Sequence, residues 1–170
     1  MLLGGINMEN YVLSVLVENH AGILSRVSGL FSRRGYNIDS LVVCETADPD
    51  KSRATIVVSG DEYILEQIKK QLSKLVEVIS IEHCEKSETC QREMALIKVK
   101  ASGEQRAVII ETCNIFRAHI VDVSENALIV EATGSEDKID SLIRLLEPFG
   151  ILELLKSGLV AMDRGSKIIK

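Results

Sequence analysis

The chain has 170 residues, of which 46% are hydrophobic and 4% aromatic, with no Trp, so one medium or two small domains with an aliphatic core are expected. Twenty basic against 25 acidic residues leave a net charge of −5, which argues against a sequence-independent nucleic-acid binder. No apolar run approaches the ~20 residues of a membrane span, and no charged n-region precedes Arg26 to mark a secretory signal, so a cytoplasmic protein is expected.

Residues 11–18 alternate and are rich in Val and Leu, which predicts a half-buried strand. From Gly22 the apolar positions Ile23, Val27, Leu30 and Phe31 recur at helical spacing, and Gly35 is a good terminator. Asn37 to Ala47 reads as a second strand, ended by the turn Asp48-Pro49-Asp50, and Arg53 to Ser59 as its hairpin partner. Asp61 can cap a helix with the stripe Leu65, Ile68, Leu72 and Leu75, and Val76 to His83 supplies a fourth strand. The order βαββαβ is the split-βαβ, ferredoxin-like arrangement.

Glu85 to Arg92 is short and polar, and the domain boundary is expected there, with residues 1–85 forming one domain and 92–170 the other. Past it the order repeats. Met94 to Ala101 is a strand, and Gly103 precedes a helix carrying Ile109, Cys113 and Phe116. Ile120 to Val123 and Leu128 to Ala132 flank the turn Ser124-Glu125-Asn126. Ser135 can cap a helix with Ile139, Leu142, Ile143 and Leu146 inward, and Ile151 to Met162 closes the unit. Two tandem ferredoxin-like α+β domains about 80 residues apart are therefore expected, a duplicated architecture.

Cys44 and Cys113 lie in periodic apolar patterns and read as small hydrophobes. Cys84, Cys90 and His83 flank a polar stretch, but their spacing fits no common zinc pattern, so no metal site is expected. His20 has no paired nucleophile or carboxylate at triad spacing, and no catalytic set is assigned. Arg33-Arg34 complements a helix C-terminus. The tail Arg164 to Lys167 reads as solvated, with the apolar Gly158 to Met162 able to dock on a partner.

The informative segment is Glu18-Asn19-His20-Ala21-Gly22-Ile23-Leu24 with Asn37. A strand that stops at polar residues and turns through glycine into a helix leaves first-turn N–H groups open at the positive end of the dipole. Such donors suit a small carboxylate, although Asn and Gly are also ordinary caps. Asn37 follows the helix and lies at the opposite end of the same fold. The two asparagines can then share a ligand only across a symmetric interface between two copies. The second half has Ala101-Ser102-Gly103-Glu104 instead, and an acid at that helix start would compete with a ligand carboxylate, so binding is expected in the first half alone.

The run Leu13 to Asn19, Gly22, Leu24-Ser25-Arg26-Val27 and Leu30 to Ile38 closely resembles the regulatory (small) subunits of acetolactate synthase, also called acetohydroxyacid synthase. The likeness continues through Asp48-Pro49, Ser52-Arg53, Leu65 to Ile68 and Lys74-Leu75-Val76, and resumes in Arg92-Glu93, Ala101-Ser102-Gly103, Ile115-Phe116-Arg117 and Ser157-Gly158. The resemblance implies an N-terminal ACT domain that binds amino acids at a dimer interface. It also implies valine or another branched-chain amino acid as effector, with Asn19, Ala21, Gly22, Ile23, Leu24 and Asn37 at its site. The implied partner is a large catalytic subunit that holds thiamine diphosphate, FAD and magnesium, none of which this chain should bind. The implied role is activation of that subunit and feedback inhibition in valine and isoleucine biosynthesis, by a chain with no activity of its own. The residues before Met8 are extra to the likeness, and Met8 is the expected start. An amino-acid-responsive transcriptional regulator is the alternative, opposed by the acidic charge and the lack of a helix-turn-helix pattern.

Overall fold

In the computed structural model the described residues are 9–169; the expected start at Met8 lies outside them. They divide into two compact units, residues 9–90 with 159–169, and Gln91–Gly158. The first contains β1 (Glu9–Glu18), α1 (Ile23–Arg34), β2 (Ser40–Glu45), β3 (Lys51–Gly60), α2 (Glu62–Leu72) and β4 (Val78–His83). Its strands form an antiparallel sheet in the order β2-β3-β1-β4, the ferredoxin-like topology. Leu13, Val15 and Val17 alternate into a core shared with Val27, Leu30 and Phe31 of α1 and Leu65, Ile68 and Leu72 of α2. The Asp61 side chain accepts the Ile64 N–H at 2.8 Å and so starts α2.

The second unit repeats this order with β5 (Thr89–Lys100, whose first two residues fall in the first unit), α3 (Gln105–Ile115), β6 (His119–Val123), β7 (Ala127–Gly134), α4 (Glu136–Leu146) and β8 (Ile151–Lys156). Its sheet order is β6-β7-β5-β8, and Ile97, Val99, Ile109, Leu128, Val130, Ile139 and Leu142 fill its core. Among the described residues, no helix is long and apolar enough to cross a membrane.

Several details differ from the sequence reading. Asn37 does not begin a strand. The α1 cap at Gly35, closed by the Tyr36 N–H on the Phe31 carbonyl at 3.1 Å, keeps the chain irregular until Ser40. Ser135 precedes α4, but its side chain makes no capping hydrogen bond. Cys44 is exposed, because β2 is an edge strand with one face open. Ile151 to Met162 is not one strand of the second unit. The chain breaks at Gly158, which holds φ 85, a backbone region costly for side chains. It then forms β9 (Val160–Asp163) in the first unit. There Leu159 and Ala161 bury against Val12, Val57 and Cys84 on the sheet face away from the helices. The apolar Gly158 to Met162 segment thus docks on its own chain, and β1 is buried on both faces from Val12 to Val17.

Candidate effector site

β1 ends at Glu18, and the Asn19 N–H crosses to the Asp50 carbonyl at 2.8 Å. The Asn19 side-chain amide donates to the Pro49 carbonyl at 2.8 Å and reaches Glu45 Oε2 at 3.3 Å. Asn19 therefore fastens the β1–α1 turn to the turn between β2 and β3. Gly22 is the N-cap of α1 with φ 92 and no side-chain cap, and no acidic residue occupies the first turn. Among the described residues no backbone carbonyl receives the Leu24 or Ser25 N–H. Two open donors thus stand at the positive end of a 12-residue helix, an arrangement whose chemistry suits a carboxylate.

Around these donors Ala21 and Leu24 are exposed, while Ile23 turns its side chain into the core and leaves only its backbone to the turn. Arg26, one turn along, pairs with the buried Glu77, whose carbonyl accepts the Glu18 N–H at 2.9 Å. This contact braces the helix start from the β4 side. His20 is exposed, with Nδ1 3.1 Å from the Ala21 carbonyl and Nε2 3.4 Å from Glu18.

Asn37 is exposed at the other end of the fold. Its amide donates to Asp39 at 2.6 Å, and Asp39 in turn lies 2.6 Å from the Ser59 hydroxyl. Ser59 pairs with Asn10 at the start of β1. From Asn10 to Asn19 the strand runs about 30 Å at roughly 3.3 Å per residue, so one copy cannot bring Asn19 and Asn37 to one ligand. The sequence reading missed Glu45 and the Thr46–Asp50 turn as partners of Asn19. The Asp48-Pro49-Asp50 signal marked the turn but not what it would touch.

The remaining candidates have structural places. Cys84 is buried among aliphatic side chains, which pushes its thiol pKa up, and the same burial raises Cys113. Arg34 donates to Gln71 at 2.7 Å on the surface. Lys167 in the tail bridges Glu82 at 2.7 Å and Asp163 at 3.4 Å.

Comparison with known proteins decides the family. Residues 92–165 match the model described as the small subunit of acetolactate synthase, and residues 13–80 match the acetohydroxyacid synthase small subunit-like ACT domain. The acetolactate synthase small subunit of Mycobacterium bovis is 51% identical over 159 residues, 94% of this chain and 95% of that protein. This chain belongs to the acetolactate synthase small-subunit family. The Mycolicibacterium smegmatis small subunit is 53% identical over 157 residues, covering 92% of each chain. The crystal structure of the Thermotoga maritima small subunit superposes with a TM-score of 0.86 at 40% identity, covering 94% of this chain and 99% of that one. The small-subunit ACT domain is thus the unit that carries the Gly22 turn, and the tandem α+β fold is that of the family.

Proposed function

We propose that this chain is the regulatory subunit of an acetolactate synthase. It binds the large catalytic subunit, raises its activity and confers feedback inhibition by valine. It has no activity of its own, works in the cytoplasm, and leaves thiamine diphosphate, FAD and magnesium to the catalytic partner. The observation that carries the ligand part is the Gly22-capped start of α1, whose N–H groups stay open with no acidic residue in the first turn to compete for them. An amino-acid effector would place its carboxylate there and its apolar side chain beside Ala21 and Leu24. Valine, leucine and isoleucine differ little at such apolar walls.

The fold also supports a homodimeric site. β2 is one of the two outer strands of its sheet, so it offers an edge for a second copy. Antiparallel pairing of two β2 edges about a two-fold axis puts the start of one strand beside the end of the other. Asn37 precedes the start of β2, and Asn19 is fastened to Glu45 at its end and to the turn beyond. Each of two equivalent sites would then combine Asn19, Gly22 and Leu24 from one copy with Asn37 from the other. Ligand-dependent coupling to the catalytic partner would be worth about 1–3 kcal/mol, the ordinary range for two linked sites.

The test is reconstitution. The chain should co-purify with the large subunit, raise its acetolactate synthase rate, and make that rate fall on titration with valine. Failure to associate, or activation indifferent to every branched-chain amino acid, would contradict the reading.

A further inference from the structure

The first unit also contains a half-open cavity of about 830 Å3 on the sheet face away from its helices. Register sets Cys44, Arg53 and Leu16 in one row of its floor, across β2, β3 and β1, with Val42, Thr55 and Ser14 in the next. Its wall is the C-terminal segment from Val160 through Ile169, held down by Leu159 and Ala161. The volume lies within the roughly 300–1,000 Å3 of small-molecule sites; apolar area predominates in the lining, which also holds the charged Glu45, Asp48, Lys51, Arg53, Asp163 and Lys167.

Arg53 stands out among those charged groups, because its hydrogen-bond partners among the described residues are neutral. Its Nε donates to the Ser14 hydroxyl at 2.7 Å and one terminal nitrogen to the Ala161 carbonyl at 2.8 Å. These bonds fix the guanidinium plane and leave other N–H groups of its five free. Among the described residues no carboxylate lies within ion-pair distance of it, although the lysines lining the cavity are paired. Lys51 lies 3.0 Å from Asp48, and Lys167 bridges Glu82 and Asp163. A half-buried, oriented guanidinium without a counter-ion is a receptor for a planar or multi-oxygen anion.

We propose that this cavity is a second ligand site, for a small organic anion with an apolar body. The acidic head lies on the free edge of Arg53, and the body lies along Leu16, Val42 and Met162. This site is separate from the Gly22 turn, yet both touch one element. Thr46, Ala47 and Asp48 line the cavity, while Pro49 and Asp50 hold Asn19. The proposal stands whether or not the Gly22 turn binds valine.

The full chain is titrated with anilinonaphthalene sulfonate and with its uncharged parent, anilinonaphthalene, for wild type and Arg53→Met. The substitution keeps an unbranched apolar stem and removes the guanidinium with its charge. Sulfonate affinity should fall about tenfold, as expected for loss of one charge-assisted contact, and affinity for the uncharged compound should stay the same. A second readout needs no variant. Cys44 is exposed in the floor row, and saturating sulfonate should slow its alkylation by iodoacetamide about tenfold, read by peptide mass spectrometry. Equal sulfonate affinity in wild type and a folded Arg53→Met would overturn the proposal, as would a Cys44 alkylation rate unchanged by the sulfonate. Should Arg53→Met fail to fold, the Cys44 result on wild type decides.

Discussion

The two units build the same junction from different side chains, and the difference lies in which charges stand at the start of the helix. In the first, β1 passes into α1 through Gly22, no side chain caps the helix, and Asn19 alone ties the junction to the neighbouring turn through the Pro49 and Asp50 carbonyls. In the second, β5 passes into α3 through Glu104, and the Ala101 N–H crosses to Asn126 at 3.0 Å as Asn19 does to Asp50. There Arg106 folds back over the junction. One of its terminal nitrogens lies 3.1 Å from the Ala101 carbonyl, 2.7 Å from Ser124 and 2.8 Å from Glu125. Neither helix start has a side-chain cap, but the second junction carries its own cation and an acid at the N-cap position, while the first has Gly22 there and no acid in its first turn. On the proposed reading, one backbone plan serves as a ligand site or as a structural staple according to two or three side chains.

The largest effect should come from making the first junction resemble the second. Gly22→Asp should raise the valine concentration for half-inhibition on the order of a hundredfold in the reconstituted enzyme, because a carboxylate would occupy the donors meant for the ligand. Activation of the partner should persist. A Cβ at Gly22 meets nothing within 4 Å, so the substitution adds no crowding inside the chain, and its cost to stability is the backbone strain at φ 92, about 1 kcal/mol. Gly22→Ala carries the same backbone cost without the charge, and it should retain far more valine sensitivity than Gly22→Asp. Equal losses in the two would assign the effect to strain.

Asn37→Leu should weaken valine binding by about 1–3 kcal/mol in calorimetry, the cost of leaving buried polar ligand atoms unpaired. Circular dichroism should be unchanged, since Asn37 is exposed and among the described residues its amide bonds only Asp39. A smaller effect is expected in the second unit. Arg106→Met removes the staple and should lower stability by about 1–2 kcal/mol in urea unfolding, while valine inhibition stays near wild type. Loss of inhibition there would mean that the two junctions are not functionally distinct.

Much of this was legible in the sequence. The apolar stripes Ile23-Val27-Leu30-Phe31 and Leu65-Ile68-Leu72 and the alternation of β1 placed the elements, because each element buries one face and repeats with its own period. The Gly22 turn was legible because the strand pattern stops at polar residues just before a helix pattern begins. What depends on distant parts of the chain was not legible. Asn19 meets Glu45 and Pro49, which lie 26 and 30 residues away. Arg106 meets the turn after β6, 18 residues on, and nothing local marks it as a staple. The Ser157-Gly158 pair interrupts the last apolar run, yet composition does not reveal that the chain then leaves the second unit to cover the first.

The central claim, that each effector site is built from two copies, is tested most directly by mixing two defective proteins. Gly22→Asp and Asn37→Leu chains, each impaired alone, are unfolded together and refolded at equal concentration. Random pairing makes half of the dimers mixed, and in each of these one site carries both lesions while the other carries neither. Calorimetry should therefore recover wild-type valine affinity at about a quarter of all sites. If Gly22 and Asn37 served one ligand within a single copy, mixing would create no intact site, and the absence of any wild-type-affinity binding in a well-folded mixture would contradict the account.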